Sequence, residues 1–175
     1  MDYLVSHHNL QQLDNILVTI NKLHGDVHDG DHYKAHLTST VLADNDTVEM
    51  YLKAPDSTVR IHAYASFSSE LAGKAEVRES ATISASGSAL TIFNSNRNSK
   101  NTSTVSVRSS PILTASGTQI SFYHVGGGKK GEDPGTVAAK AGWILKQGTI
   151  YILRFISSAG SNEAEVGVSF VKDWL

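Results

Sequence analysis

A chain of 175 residues with a formal net charge of −2, no cysteine and three prolines suits one domain with a small appendage. Near-neutral charge gives no electrostatic case for nucleic acid, and the missing thiols exclude disulfides and thiolate metal sites. No run approaches the roughly 20 apolar residues of a membrane-spanning helix, and Met1 to Val5 lack the basic and apolar regions of a signal peptide, so the expectation is a soluble product of a cytoplasm with no membrane partner.

Abundant Ser, Thr, Asn and Gly point to a turn-rich β protein. Ahead of the β region, residues 9 to 24 read as a helix. Leu10, Leu13, Leu17 and Ile20 follow a 3-4-3 spacing, Ile16 and Leu23 widen the stripe, Asn9 with Gln12 makes an N-cap pair, and Gly25 is the stop. The stripe faces either its own domain or a partner. Lying before a Gly- and Asp-rich break, it reads as a helical arm over 1–26, with the β domain over 27–175.

From His28 onward the apolar period becomes two. Tyr33, Ala35 and Leu37 alternate with His32, Lys34 and His36. Val48, Met50 and Leu52 follow an Asp44-Asn45-Asp46 turn, and Val59, Ile61, Ala63 and Ala65 form a third strand. Glu76 to Ser80 reads as a short strand, Ala85 to Ser88 as loop, and Ala89 to Phe93 and Thr104 to Val107 as strands. Ile112 to Thr114, a Ser116-Gly117 turn and Ile120 to Val125 come next. Gly126 to Gly135 is a loop, Gly142 to Leu145 an apolar patch, and Ile150 to Ile156 the strongest strand. Asn162 closes a hairpin to Val166, Val168 and Phe170. Turn signals every ten residues or so predict an antiparallel β-sandwich, jelly-roll-like, with one N-terminal α-helix. No internal repeat stands out.

Between two of these strands lies Phe93 followed by eleven residues drawn from Asn, Ser, Thr, Arg and Lys. Nothing in it repays backbone entropy by apolar burial, so it reads as a polar connection built for solvent or for a partner, with side chains able to bond their own backbone. Arg97, with Asn96, Asn98 and Asn101, is the first choice for partner contact. The helix face Leu10, Leu13, Leu17 and Ile20 is the second. The bland alternative is that Arg97 pins the loop to its own domain.

Other constellations carry less. His24, His28, His32 and His36 repeat every four residues and on one helix would bind zinc or nickel. Gly25 and Gly30 interrupt such a helix, and Tyr33 to Leu37 read as strand, so no metal or other cofactor is assigned. Gly126 to Gly131 lacks the spacing of a phosphate loop, and no nucleophile elbow occurs. Glu76 and Glu79 read as a solvated edge. The expectation is a protein that is not an enzyme. Tyr64, Tyr123, Trp143 and Trp174 leave a sugar-stacking platform as the alternative.

Several short segments resemble one family. They are Val27-His28-Asp29-Gly30, Val41-Leu42-Ala43-Asp44-Asn45, Asn96-Arg97-Asn98-Ser99 through Thr104, Gly126-Gly127-Gly128, Trp143-Ile144-Leu145-Lys146 and Tyr151-Ile152-Leu153-Arg154-Phe155. Together and in this order they resemble the small β-sandwich head proteins of tailed bacteriophages, the capsid decoration or cement proteins. That resemblance implies a virion protein on the capsid exterior that binds the major capsid protein and itself, as a homotrimer. The rival expectation is a fibre or adhesin module that binds host glycans.

Overall fold

Alternation of apolar and polar residues gives this chain two sheets that face each other across one core, with the centre of the first sheet apolar on its outer face as well. The computed structural model describes residues 11–13, 16–18, 22–126, 135–138 and 142–173. In chain order the elements are β1 (Gln11–Leu13), β2 (Ile16–Val18), α1 (Lys22–Asp29), β3 (His32–Leu42), β4 (Thr47–Lys53), β5 (Arg60–Ser69), β6 (Gly73–Glu79), β7 (Thr82–Ala85), β8 (Ser88–Ala89), β9 (Phe93–Asn94), β10 (Ser106–Ser109), β11 (Ile112–Ala115), β12 (Thr118–Val125), β13 (Gly135–Ala138), β14 (Trp143–Ile144), β15 (Ile150–Ser157) and β16 (Asn162–Asp173).

The first large sheet runs β12-β6-β15-β4-β10-β8, and the second runs β13-β5-β16-β3-β9 with β14 also on β5. All pairings are antiparallel. The strands β3 to β6 alternate between the two sheets, and β15 and β16 divide between them in the same way. Met50, Leu52, Leu153 and Phe155 from the first sheet meet Tyr33, Phe67, Val166 and Phe170 from the second in one buried core. The predicted antiparallel sandwich with a short N-terminal helix is the fold of the protein.

The helix is displaced from its predicted place. Gln11–Leu13 and Ile16–Val18 form a pair of short antiparallel strands, inside the span read as helix 9–24. Ile16-Leu17-Val18 carries two β-branched residues, and Asp14 and Asn15 are residue types that favour turns over helix. Leu13 and Leu17 therefore stand on β1 and β2, not on one helix face, whereas Leu10 and Ile20 lie outside the described residues. The helix is α1, which runs straight through Gly25, spans the expected 26/27 boundary and stops at Gly30. There Gly30 adopts φ +76, its amide bonds Val27 O at 3.1 Å, and the Asp31 amide bonds Asp26 O at 2.9 Å, a Schellman ending that Gly30 can adopt without strain.

An internal repeat, missed in the sequence, organises the first sheet. Val77-Arg78, Ser80 and Ala85-Ser86-Gly87 recur thirty residues on as Val107-Arg108, Ser110 and Ala115-Ser116-Gly117. Ser80 and Ser110 both take positive φ (61 and 52), as do Gly87 and Gly117 (76 and 72). In the first copy the chain leaves β6, crosses as β7 and lands as β8 beside β10; in the second it leaves β10, crosses as β11 and lands as β12 beside β6. The pair Ser88↔Ser109 thus matches Thr118↔Glu79, and Ala89↔Arg108 matches Gln119↔Arg78. The central strands obey the same relation: Arg108↔Tyr51 on β4 corresponds to Arg78↔Ile152 on β15. A pseudo-dyad therefore passes through the Tyr51–Ile152 pair.

The two crossings pair with each other as the ribbon β7–β11. Ile83 and Leu113 pack from the ribbon against buried Tyr51, Ala81 and Ile152, a second small apolar cluster on the outer face of the first sheet. Each repeated arginine holds the other copy's turn. Arg78 Nε and Nη2 donate to Ser116 O (3.0 Å) and Gly117 O (3.1 Å), and Arg108 Nη1 donates to Gly87 O (3.2 Å). A Cβ at Gly87 would overlap Ser109 O, and one at Gly117 would overlap Glu79 O. At the opposite rim, fully buried Asn162 bonds Leu71 N (2.8 Å) and Ser157 Oγ (3.0 Å), fixing the turns between β5 and β6 and between β15 and β16.

Gly87→Ala and Gly117→Ala are expected to destabilise the protein by about 2 kcal/mol each, from left-handed strain alone at ~1–2 kcal/mol plus backbone overlap. Gly160→Ala, with nothing within 4 Å of its Cβ position, is the control expected to stay within about 0.5 kcal/mol of the parent. Urea unfolding followed by tryptophan fluorescence measures all three.

Candidate functional site

The polar stretch after β9 is shaped by its own amides. Asn94 Oδ1 accepts the Asn96 amide (2.9 Å), Asn96 Oδ1 accepts the Asn98 amide (3.1 Å), and Ser99 Oγ accepts the Asn101 amide (3.1 Å), a chain of local side-chain turns. The same residues reach the end of α1. Asn96 Nδ2 donates to His28 O (2.9 Å), Asn101 Nδ2 to Asp29 O (3.1 Å) and Asn94 Nδ2 to Gly30 O (2.8 Å). Three successive carbonyls at a helix end, which have no partner within the helix, are thus capped from a segment about seventy residues away.

The far side of the loop is tied to the second sheet. Ser95 N donates to His32 O at 2.9 Å, and Thr102 O accepts from Tyr33 OH (3.2 Å) and Lys172 Nζ (3.4 Å). His32 is buried on β3, with Nδ1 2.5 Å from Ser95 Oγ. Burial, with the Lys34 charge beside it, holds the imidazole below its ordinary pKa.

Of the residues selected from the sequence, Asn96 and Asn101 use their side-chain amides on α1. Arg97 and Asn98 point outward at an exposed turn with Lys100. The Arg97 guanidinium stands 5.6 Å over the ring of Phe93, which is 40 % exposed. His36 on β3 stacks on the same ring, with centroids 6.0 Å apart and planes at 12°. The loop therefore holds itself rigid from within and presents Arg97, Phe93 and His36 as one stacked group. Sequence reasoning chose Arg97 and missed its two partners. The pairing of Lys34 with Phe93 sets His36 diagonal to Phe93, and no local pattern announces that register.

The four histidines divide between two elements. His24 and His28 stack on α1 at 4.7 Å, so the helix that Gly25 was expected to prevent does form, but it reaches only these two. His32 and His36 stand on β3. Among the described residues no three His, Cys, Asp or Glu side chains converge as a metal site.

The carboxylates expected at a solvated edge are interior and paired. β6 lies between β12 and β15. Glu76 accepts from Arg78 (2.7 Å), and Arg154 bridges it at 3.8 Å while donating to Glu49 at 2.6 Å. Glu79 accepts from Lys146 Nζ (2.5 Å) and Tyr151 OH (3.0 Å). Lys146 above all, with the Tyr151 hydroxyl, keeps Glu79 below the usual carboxylate range. Burial, joined by the Glu79 carboxylate, pushes the Tyr151 hydroxyl up to about 12. These groups tie neighbouring strands together. Tyr123 and Trp143 pack on the core and Tyr64 is exposed; Trp174 lies outside the described residues.

No family model, curated protein or solved structure matches this chain.

Two outcomes follow from these contacts. Asn96→Ala and Asn101→Ala each leave a helix-terminal carbonyl uncapped, and each is expected to cost about 1 kcal/mol in urea unfolding. For His32 the folded pKa lies below the unfolded value of about 6.5, so its contribution is present above pH 6.5. It is lost as pH falls, because the unfolded chain takes up the proton first. Stability measured from pH 7.5 down to 5 should decline, and the decline should be shallower in His32→Asn.

Proposed function

We propose that this protein is a virion structural protein that decorates and stabilises an icosahedral phage capsid, binding the major capsid protein from outside as a homotrimer. The reading rests on the ordered set of segments resembling phage decoration proteins, and the observation that carries it furthest is the self-capped loop. Its asparagines spend their hydrogen bonds on α1 and on the loop backbone, which leaves Arg97, Asn98 and Lys100 on a preorganised turn. Contact through such a turn loses little entropy on binding. On a lattice presenting many equivalent sites, modest contacts of this kind add up when three copies bind as one unit.

The role is binding, not catalysis. The paired carboxylates and the raised tyrosine lie within the strand framework, where they serve stability. The chemistry expected of the contact is charge-assisted and planar: the Arg97 fork, steadied by the Phe93 ring, suits a carboxylate or a backbone carbonyl pair on the shell.

Shells lacking the protein, mixed with purified protein and sedimented, should carry it down at a saturating stoichiometry. Arg97→Ala should lower the apparent affinity at least tenfold without changing the unfolding midpoint by more than a few degrees. Light scattering should give the mass of a trimer at micromolar concentration. Absence of the protein from purified virions, or no sedimentation with shells, removes the reading.

A further inference from the structure

The β3 side of the second sheet is left open by its neighbours. β9 covers β3 at Tyr33 and Lys34, and among the described residues no strand continues along that side. Register tells which backbone groups are left over. Lys172 N donates to Asp31 O from the β16 side, and Ser95 N donates to His32 O from the β9 side. Hydrogen-bonded and non-bonded positions alternate along an antiparallel strand. Ala35, Leu37 and Ser39 therefore bond β16, while His36 and Thr38 turn their amides and carbonyls to the open side. From Ala35 to Leu42 no lysine, arginine, carboxylate or proline guards this edge. Its straight part ends at Thr40 and Val41, which bulge opposite Glu163. A free edge of this kind is a template for a further strand.

The core under this edge is open too. Tyr33 and Ala35 are buried on the core face of β3, but Leu37 and Ser39 on the same face are only half-buried. Val41 is 77 % exposed, more than any other large apolar residue among those described. The first sheet does not reach over them. β10 leaves it after Ser109, with the Ser110 amide on Glu49 O, so Thr47 and Val48 have no described strand on that side. The result is a hollow of about 320 Å³ with Leu37, Ser39, Val48 and Pro111 in its walls. Glu49, the one charged group there, is already paired with Arg154 at 2.6 Å, so the space suits uncharged side chains.

Residues 1–10 are the longest stretch outside the described residues. They join the sandwich through α1, whose closing carbonyls are held by Asn94, Asn96 and Asn101 beside β9, on the open side. Gly127 to Pro134, the next longest, connects β12 to β13 at the far end of both sheets and has no large apolar residue. Residues 1–10 hold Tyr3-Leu4-Val5, in which Tyr3 and Val5 suit a strand and would share one face of it. β1 and β2, next in the chain, already pair as strands in a sheet of their own. A strand over Asp2–Ser6 is about 16 Å long, the same as the edge from His36 to Thr40. A tethered segment acts at an effective concentration in the millimolar range, which favours the same molecule over another copy at micromolar concentration. We propose that Asp2–Ser6 adds to the β3 edge of its own molecule as a strand, bonding His36 and Thr38, with Tyr3 and Val5 in the hollow. This closure is independent of shell binding and uses none of the residues assigned to it.

The test is amide hydrogen exchange read by ¹⁵N-NMR on the intact chain and on a variant lacking residues 1–8. The His36 and Thr38 amides are expected to be protected in the intact chain and to exchange faster by about tenfold or more in the variant. The Ala35 and Leu37 amides, bonded to β16, should keep their protection and so report that the variant is folded. A double variant, Leu4→Pro with Val5→Pro, removes a donor whichever way the strand faces and should act like the truncation. Whose strand it is can be read with Ser6→Cys carrying a nitroxide, the only thiol in an otherwise cysteine-free chain. Its own His36 and Thr38 signals should broaden. They should stay sharp in ¹⁵N-labelled parent protein refolded together with spin-labelled protein that carries no ¹⁵N. Equal exchange at His36 and Thr38 with and without residues 1–8 overturns the proposal. So does broadening in the mixed sample, which would assign the strand to another copy.

Discussion

The first sheet depends on a single constraint, the exchange of its two crossing segments. β6 cannot gain its edge partner β12 unless the chain has already crossed from β10, and β10 gains β8 only through the crossing from β6. Both crossings pass over the Tyr51–Ile152 pair and can pair as a ribbon only if each turns back sharply against the other copy's strand end. Positive φ at Gly87 and Gly117 supplies that turn, and the space left by their missing side chains is occupied by the backbone at Ser109 and Glu79. The arginines at 78 and 108 then bond carbonyls in those turns. The symmetry is thus one of backbone requirements, and it tolerates side-chain divergence: Glu76 and Arg154 form an ion pair on one side where Ser106 and Lys53 face each other on the other.

The second sheet works differently. It is built around β16, the longest strand, with β3 and β5 on its two flanks. Its inner face supplies the large aromatic side of the core, Tyr33, Phe67 and Phe170, so its outer face is free of the stability duties that the ribbon imposes on the first sheet. The polar loop leaves this sheet at β9 and caps α1, joining helix, loop and sheet in one hydrogen-bonded unit. Its asparagines therefore act through geometry: they fix the position from which Arg97 leans over Phe93. A loop of this composition would otherwise lose much conformational entropy in any contact, and the capping bonds meet that cost on folding.

Period-two alternation made most strands legible, because one buried face imposes it residue by residue. Val48–Leu52, Ile61–Ala65 and Val166–Phe170 need no tertiary knowledge to be recognised, whereas Ile150–Ile156, buried on both faces, reads as a nearly continuous apolar run. The terminal helix misled for a related reason. Leu10, Leu13, Leu17 and Ile20 satisfy a helical spacing, but the β-branched residues at 16 and 18 and the Asp14-Asn15 pair favour a strand–turn–strand course. Two equally local signals competed, and spacing alone was no judge. The repeat escaped because its shared residues are few and small, and what they share is a φ sign, which composition does not display.

For the contact surface, the sequence by itself determined that a polar, donor-rich segment follows Phe93, that Arg97 lies within it, and that neither core burial nor thiol chemistry employs it. It also determined the alternation that makes a two-layer sandwich. Only the tertiary structure decided that Asn96 and Asn101 cap α1 while Arg97 faces out, that His36 and Phe93 share a stack, and that Tyr64 and Gly167 lie beside them. Those facts come from strand register, and register is a property of pairs of distant segments. A one-residue slip would turn His36, Phe93 and Tyr64 to the opposite face of the sheet, and no local pattern in any of these strands could reveal it.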